Sequence, residues 1–512
     1  MKQSLPNVPS LAELATKIEK LPIREIACKS DLKFANILSE RVGIDIYLKR
    51  EDTQKVFSFK CRGAYAKLSS LSEQQRKKGV ICASAGNHAQ GLALSAQKLG
   101  VKATIVMPVI TPEIKVEAVK RLGAKVILHG DIYDQAYEYA CKLQAKHSYT
   151  FIHPYDDWDV IAGQGTIAKE ILEQSNHDLD AIFVPVGGGG LIAGILAYIK
   201  HKNPNIKIIA VEPENSACLS AAIKAQKRVV LDHVGIFADG VAVKQIGQRP
   251  WTLLQSHLDD YITVDTDEIC AAIKDIYEET RSMVEPSGAL SVAGIKKYCA
   301  VKKPSFKRVV GINCGANLNF DRLRHISERA EIGEQREALF AIKIPEKPGS
   351  FKQFVSVIGK RNITEFNYRY AHHQQAVIFV GISLSKNPHD KQEFIQKISS
   401  HGYELNDLSQ NEVAKLHLRY MIGGKAQLNH PETFYRFQFP EVPGALANFL
   451  NHLGKDWHIS AFHYRNHGAA FGRVLAGFSI PSGQQKAFRQ YLSQLNYFHV
   501  DETNNIVFDL FL

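Results

Sequence analysis

The chain has 512 residues, of which 45% are hydrophobic and 22% charged, a composition typical of a soluble globular protein with several domains. Its formal net charge is +11, but it contains no block of five or more like charges, so no nucleic-acid partner is expected. The eight cysteines have no paired spacing and all lie at or before Cys314, which favours reduced thiols and a cytoplasmic location over a disulfide framework.

The first candidate for chemistry is the stretch 58–64, Ser-Phe-Lys-Cys-Arg-Gly-Ala, which follows an extended run over 44–49. Helical character begins just after it, so Lys60 is predicted near the start of a helix. The helix dipole disfavours a positive charge there, and partial burial lowers the pKa of the amine further. An amine with a lowered pKa can form a Schiff base. Taken alone, such a lysine is more often a solvated surface charge.

Six short apolar runs, each followed by helical periodicity, predict an α/β fold with a mainly parallel sheet covered on both faces. The runs are 79–83, 103–107, 125–128, 181–186, 207–211 and 308–312. Such sheets bind ligands at the C-terminal ends of their strands, so the loops that follow these runs are the candidate sites.

The segment 181–199 carries no charge and is nearly long enough to span a membrane. It contains Pro185 and four consecutive glycines, however, and an alternating pattern of strands and helices surrounds it. A strand, a glycine turn and a buried helix explain the segment better, so no membrane partner is expected.

The loop after 79–83 reads Ser-Ala-Gly-Asn-His-Ala-Gln-Gly and opens a helix. Its backbone amides and Ser84 can hold a carboxylate at the helix start, and Asn87 can hydrogen-bond a phenolic oxygen. The alternative is a simple helix cap by Ser84 or Asn87. His88 receives no catalytic role, because a lone histidine is more often structural.

The loop after 181–186 consists of glycines 187–190, with Leu191 at the start of the next helix. Four glycines leave the backbone amides bare, so that they can approach a phosphate from several sides. No Lys-Ser/Thr pair follows, which excludes a nucleotide P-loop. The alternative is a flexible turn, but four glycines after a buried strand favour a close ligand.

Cys314 follows the run 308–312, the last predicted strand of this part of the chain. A thiol there can meet a ring nitrogen without imposing a full charge on it. The alternative is a small buried thiol, the usual state of an isolated cysteine.

Together, these motifs resemble the threonine and serine dehydratase branch of the fold-type II pyridoxal-phosphate enzymes. The stretches 285–289 (Glu-Pro-Ser-Gly-Ala) and 238–242 (Ala-Asp-Gly-Val-Ala) are similar too. The resemblance covers essentially the whole chain. It implies a tryptophan-synthase-β-like catalytic part made of two α/β subdomains over 1–325.

The resemblance also implies pyridoxal 5′-phosphate as the cofactor, and no residue is assigned to a metal ion. Lys60 would hold the cofactor as a Schiff base and move the Cα proton as the catalytic residue, while Asn87 would contact the 3-hydroxyl. Cys314 would contact the pyridine nitrogen, and Glu285 would lie near the ring. The residues implied for the phosphate are Gly187, Gly188, Gly189, Gly190 and Leu191. Those implied for the substrate carboxylate are Ser84, Ala85, Gly86, Asn87 and His88.

Beyond residue 320 the composition changes. A charged segment over 326–337 predicts a connecting helix, and an internal repeat follows. Residues 344–349 match 439–444, and 364–369 match 460–465. Each copy predicts a strand, a Pro-Gly turn, a helix and two further strands, a pattern that resembles ACT-like amino-acid-sensing domains, with copies at 338–410 and 433–504. The turn before the helix leaves free amides suited to an amino-acid carboxylate. The alternative is a duplicated scaffold or an oligomer contact.

Two regulatory copies after the catalytic part are similar to those of the biosynthetic threonine dehydratases. This resemblance implies conversion of L-threonine to 2-oxobutanoate and ammonia, the first committed step of isoleucine biosynthesis. It also implies inhibition by isoleucine, relief by valine and a homotetramer. Two alternatives stay open: a serine dehydratase or racemase relative, and an amino-acid-sensing protein with an inactive catalytic part. The intact Lys60, Asn87 and glycine loop argue against the second.

Overall fold

The computed structural model describes residues 8–334, 336–345, 350–359, 361, 363–368, 375–385, 387, 389–418, 430, 432–440, 449, 457–465, 471–495 and 497–511. In this part of the chain, no helix has the length and apolar character needed to cross a membrane. The chain forms two compact units, Met1–Asn319 and Phe320–Leu512, each with its own hydrophobic cores.

The first unit alternates helices and strands along nearly its whole length. In chain order its elements are α1 (Leu11–Lys20), β1 (Leu32–Phe34), α2 (Asn36–Val42), β2 (Asp45–Arg50), α3 (Lys60–Ser69), α4 (Glu73–Lys78), β3 (Val80–Ala83), α5 (Asn87–Leu99), β4 (Ala103–Met107), α6 (Glu113–Arg121), β5 (Lys125–Leu128), α7 (Tyr133–His147), β6 (Thr150–Phe151), α8 (Trp158–Ser175), β7 (Ala181–Pro185), α9 (Gly190–Lys202), β8 (Lys207–Pro213), α10 (Cys218–Ala225), α11 (Gln248–His257), β9 (Asp260–Val264), α12 (Thr266–Thr280), α13 (Pro286–Lys302) and β10 (Arg308–Asn313).

These strands form two sheets. The larger has the order β1-β2-β10-β7-β8-β9, and only β1 runs antiparallel to its neighbour. The smaller is fully parallel, in the order β5-β4-β3-β6. The predicted α/β fold is therefore confirmed, and all six predicted apolar runs contain strands. Three of these strands lie in each sheet, because the runs alone do not specify which strands pair.

Helix α3 is anchored by a buried network of charged side chains. Arg62 is fully buried, and its Nε and Nη2 each donate a hydrogen bond to Glu51 at 2.8 Å. Its Nη1 donates to Glu170 at 2.6 Å, and the equally buried Lys49 donates to the other oxygen of Glu170 at 2.7 Å. Such a network is stable only while every buried charge keeps its partner, so the start of α3 is held in one place.

The described residues of the second unit form two antiparallel sheets. In chain order its elements are α14 (Leu323–Gly333), β11 (Glu337–Pro345), α15 (Ser350–Ile358), β12 (Ile363–Tyr368), β13 (Gln375–Ser383), α16 (Asp390–Ser400), β14 (Glu404–Asp407), α17 (Glu412–Leu416), β15 (Glu432–Pro440), β16 (His458–Arg465), β17 (Phe471–Ser479), α18 (Gln485–Leu495), β18 (Phe498–Asp501) and α19 (Ile506–Phe511).

The two sheets have the same topology, with orders β12-β13-β11-β14 and β16-β17-β15-β18. The repeat in the sequence therefore corresponds to a repeated fold. Each copy also contains a helix and a fourth strand that the sequence pattern did not predict, α16 with β14 and α18 with β18. The Pro-Gly turns fall at residues 346–349 and 441–448, outside the described residues. A shared apolar cluster, including Leu339, Phe379, Phe434, Leu475 and Phe508, packs the copies together.

Candidate active site

A pocket lies in the first unit where β7 and β10 end, beside the first turn of α3. The space between its walls, including open solvent at its mouth, is about 430 Å³. All the residues predicted for the cofactor line it: Lys60, Asn87, Gly187, Gly188, Gly189, Gly190, Leu191 and Cys314. The structure thus brings together side chains from four separate stretches of the chain.

Lys60 is the first residue of α3, as the sequence pattern predicts. Its Nζ donates a hydrogen bond to the backbone oxygen of Pro154 at 3.2 Å. Burial lowers the pKa of the amine to about 8, although the nearby Cys314 and Glu285 act in the opposite direction. Much more of this amine is neutral near physiological pH than of a solvated lysine, so it is suited to attack a carbonyl carbon.

Two close backbone contacts explain why Lys60, Asn87 and Cys314 meet. A Cβ atom on Gly91 of α5 would lie 2.8 Å from the carbonyl carbon of Lys60, so only glycine lets α5 approach the start of α3 this closely. The amide of Phe59 donates to the carbonyl oxygen of Cys314 at 3.3 Å, which joins the lysine turn to the end of β10.

Asn87 is the first residue of α5, and two further side chains fix its amide. Its Nδ2 donates to Glu285 Oε1 at 2.6 Å, and its Oδ1 accepts a hydrogen bond from Asn317 Nδ2. Glu285 is buried, and burial together with the charge of Asp239 raises the pKa of its carboxyl. Glu285 therefore orients Asn87 directly, whereas the sequence placed it only near the site.

The glycine loop has no room for side chains. A Cβ on Gly188 would lie 2.2 Å from Cγ of Tyr155, and one on Gly187 would lie 2.8 Å from Cα of Val241. Gly189 has φ of +90°, a conformation that favours glycine. In the described part of the chain, the backbone N–H groups of residues 187–190 donate to no other protein group. The loop is thus a cradle of free amides at the start of α9, where an anion is stabilised.

Cys314 follows β10 directly, and its side chain is buried. Its Sγ donates to the backbone oxygen of Ser287 at 3.2 Å. Burial and the charge of Glu285 raise the pKa of the thiol far above its usual range. Cys314 therefore presents a neutral thiol to the pocket.

The loop predicted to bind the substrate carboxylate is only partly in the pocket. Asn87 lines the pocket, but Ser84, Ala85, Gly86 and His88 are not among the lining residues. The Ser84 hydroxyl accepts a hydrogen bond from the amide of Gly86 at 3.3 Å, and no side chain caps α5.

His88 is buried, and its Nε2 lies 2.9 Å from the backbone oxygen of Ile152. Burial lowers the pKa of its ring to about 3, so the ring is neutral at physiological pH. This contact is consistent with the structural role expected of a lone histidine. The assignment of residues 84–88 to the substrate stays a prediction.

The sequence analysis assigned no site role to six residues that line the pocket: Phe59, Tyr155, Pro185, Gly240, Val241 and Ser287. All but Tyr155 lie in stretches that it singled out. Tyr155 is the most consequential, because its ring forms one wall of the glycine cradle. The signal that could have found it is the polar and aromatic stretch after β6, a strand of only two residues that the apolar runs did not show.

The pocket fits pyridoxal 5′-phosphate in three independent respects. A buried lysine with a lowered pKa is available for the aldehyde, and a cradle with no space for Cβ atoms offers free amides for the phosphate. A neutral thiol lies at the end of the neighbouring strand. No group of three or more potential metal ligands occurs in the described residues.

Comparison with protein families gives two matches that together span most of the chain. Residues 26–315 match the family of pyridoxal-phosphate dependent enzymes. Residues 328–418 and 424–512 each match the C-terminal regulatory domain of threonine dehydratase. The two matches in the second unit agree with the repeat seen in both the sequence and the fold.

Similar proteins are known from bacteria and plants. A biosynthetic L-threonine dehydratase of Escherichia coli is 51% identical over 510 residues, covering 100% of this chain and 99% of that protein. A chloroplastic biosynthetic threonine dehydratase of Solanum lycopersicum is 46% identical, covering 99% of this chain and 85% of its own.

Solved structures resemble part of the chain. The processed form of threonine deaminase isoform 2 from Solanum lycopersicum has a TM-score of 0.62 and 46% identity, and covers 62% of this chain and 93% of its own. Serine racemase from Dictyostelium discoideum has a TM-score of 0.57 and 32% identity, covering 61% of this chain and 100% of its own.

Proposed function

We propose, on the premise that the chain belongs to the pyridoxal-phosphate dependent enzymes and within them to the biosynthetic threonine dehydratases, that it converts L-threonine to 2-oxobutanoate and ammonia. The observation that carries this proposal is the convergence of Lys60, Asn87, the glycine loop and Cys314 on one pocket. The regulatory repeats favour the biosynthetic enzyme over a serine racemase. They match the regulatory domain of threonine dehydratase, whereas the whole serine racemase structure covers only 61% of this chain.

We assign the cofactor to residues of this pocket. Lys60 Nζ would hold its aldehyde carbon, the amides of residues 187–191 its phosphate, Asn87 its 3-hydroxyl and Cys314 its ring nitrogen. When bound, pyridoxal 5′-phosphate supplies an electron sink for the charge left when the substrate Cα–H bond breaks. The ring nitrogen would have a neutral thiol rather than a carboxylate as its partner, which favours prompt loss of the β-hydroxyl over transamination.

The chain's own residues do the remaining work. Lys60 Nζ, with its pKa lowered to about 8, accepts the Cα proton at physiological pH. Glu285 and Asn317 hold the side-chain amide of Asn87 from two sides, so that this amide would contact the 3-hydroxyl of the cofactor without rearrangement. The small and polar loop at residues 84–88 is proposed to hold the substrate carboxylate at the start of α5.

The test of this function is the rate of 2-oxobutanoate formation by the purified full-length protein. We expect turnover of L-threonine with a kcat/KM at least about tenfold above that for L-serine, since a methyl group held in an apolar pocket contributes roughly 1–3 kcal/mol of discrimination. A preference for L-serine would identify the dehydratase or racemase relative instead. Inactivity towards both amino acids would favour the remaining alternative, an amino-acid-sensing protein with an inactive catalytic part.

The second unit is proposed to bind isoleucine as an inhibitor and valine as the ligand that relieves inhibition. Support comes from the two family matches to a threonine dehydratase regulatory domain and from two sheets of equal topology. We also propose a homotetramer, in line with the resemblance. All eight cysteines are free thiols, which supports a reducing location, and we place the protein in the cytoplasm. The catalytic, connecting and regulatory boundaries given by the sequence stay predictions.

A further inference from the structure

Asp156 connects the wall of the pocket to the start of α11. It follows Tyr155, whose ring forms that wall. Its two carboxylate oxygens accept hydrogen bonds from the amides of Gln248 at 3.0 Å and Arg249 at 2.8 Å. The Arg249 guanidinium donates in return to the backbone oxygen of Asp156 at 2.7 Å. The carboxylate therefore fixes the first turn of α11 by accepting hydrogen bonds from two of its backbone amides.

This turn touches the glycine loop directly. The amide of Gly247 donates to the carbonyl oxygen of Gly188 at 3.0 Å. A Cβ on Gly189 would lie 2.7 Å from Cδ1 of Ile246 and 2.8 Å from Cβ of Pro250, so the turn packs against the loop without a gap. The direction of the Gly188 peptide, and with it the next amide of the cradle, depends on where the turn lies.

Arg228 holds the opposite side of the same turn. Its Nε donates to the backbone oxygen of Ile246 at 2.8 Å. Its Nη1 and Nη2 donate to the side-chain oxygens of Gln248 at 2.7 Å and Gln245 at 2.8 Å. With Arg228 bound to a carbonyl oxygen and Asp156 bound to two amides, the turn is fixed on both sides.

We infer that Asp156 is a positioning residue for phosphate binding, which acts through the turn at residues 247–249 and the hydrogen bond from Gly247 to Gly188. The inference rests on the proposed function, since it requires the glycine loop to bind the phosphate of pyridoxal 5′-phosphate. The charge of Asp156 would by itself repel a phosphate. If Asp156 acts mainly by supporting the loop, its replacement should weaken binding of the phosphate. If its charge matters more, replacement should strengthen that binding, so the sign of the change in Kd distinguishes the two roles.

The test compares two ligands of the full-length protein after removal of its cofactor. Pyridoxal 5′-phosphate and pyridoxal carry the same aldehyde, but only the first has a phosphate. For Asp156→Asn, we expect the Kd of pyridoxal 5′-phosphate to rise about tenfold while the Kd of pyridoxal stays within about twofold. Loss of charge alone would instead tighten binding of the phosphate form.

Asp157→Asn is the matched control. Asp157 is the neighbouring carboxylate, with a side-chain exposure of 21% against 17% for Asp156. It caps α8 instead, accepting from the amides of Asp159 at 2.8 Å and Val160 at 3.3 Å. The substitution removes the same charge one residue away, so we expect both Kd values to match those of the wild type.

A second variant approaches the same contact from the other side. A Cβ on Gly247 would lie 3.1 Å from the carbonyl oxygen of Gly188 and 2.9 Å from Cδ of Pro250, so Gly247→Ala should also weaken the phosphate form selectively. The inference is overturned if Asp156→Asn leaves the Kd of pyridoxal 5′-phosphate unchanged or lowers it, or if this variant weakens the two ligands equally. A wild-type protein that binds neither ligand would refute the proposed function itself.

Discussion

Replacing Lys60 by alanine is expected to reduce the turnover of L-threonine by about 10⁴-fold or more, because the variant loses both the nucleophilic amine and the group that accepts the Cα proton. Lys60 Nζ donates to a backbone oxygen, and its pKa is lowered to about 8. Among the described residues it has no charged partner within hydrogen-bonding distance, so its removal breaks no ion pair there. The loss should therefore appear in kcat with little change in stability. Steady-state kinetics and thermal denaturation of the full chain measure the two effects.

Lys67→Ala on the same helix is the control for damage to α3. Lys67 pairs with Asp157 at 2.8 Å and Asp159 at 3.0 Å and does not line the pocket, so its loss should leave kcat within about threefold. A small primary amine added to Lys60→Ala should restore part of the activity, since it supplies the missing base. A Lys60→Ala protein with more than a tenth of wild-type turnover would refute the assignment of Lys60.

Replacing Arg62 by methionine is expected to destabilise the first unit by about 3–5 kcal/mol, because it leaves a buried carboxylate without its cationic partner. Arg62 is fully buried, and two of its nitrogens donate to Glu51 at 2.8 Å. Glu170 would keep Lys49 at 2.7 Å and Arg24 at 2.8 Å, so Glu51 is the stranded charge. Urea denaturation of the full chain measures the change.

The double variant Arg62→Met, Glu51→Gln tests the cause of that loss. Removing both partners leaves no unpaired buried charge, so we expect most of the lost stability to return. A loss of packing around the Arg62 stem would not be restored by a change at Glu51. If the free energy of unfolding of Arg62→Met alone lies within about 1 kcal/mol of that of the wild type, the network does not anchor α3 in the way described.

The sequence predicted the residues of the pocket better than their surroundings. Lys60, Asn87, Cys314 and the glycine loop each follow a strand or begin a helix, the positions at which parallel α/β sheets bind ligands. The sequence did not show that Asn87 follows a strand of the smaller sheet, whereas the glycine loop and Cys314 follow strands of the larger one. Tyr155 and Glu285 gave weaker signals. Tyr155 lies after a strand of two residues, and the contact of Glu285 with Asn87 joins residues 198 apart in the chain.

The arrangement of the strands was predicted only in part. The runs at 79–83 and 181–186 look alike, because both are short, apolar and followed by a helix. They nevertheless belong to different sheets, since pairing depends on contacts that periodicity does not encode. In the second unit, the repeat predicted two equal folds. The fourth strands, β14 and β18, have only four residues each, too few for a clear strand signal.

We propose that this one chain combines threonine dehydration with control by an end-product amino acid. The most direct test is to measure 2-oxobutanoate formation from L-threonine while isoleucine is titrated, with and without valine. We expect turnover to fall sigmoidally with isoleucine and valine to shift the curve to higher isoleucine concentrations, because ligands that favour different states oppose each other. Turnover that isoleucine leaves unchanged would contradict the regulatory half of the claim, and a protein with no turnover at all would contradict both halves.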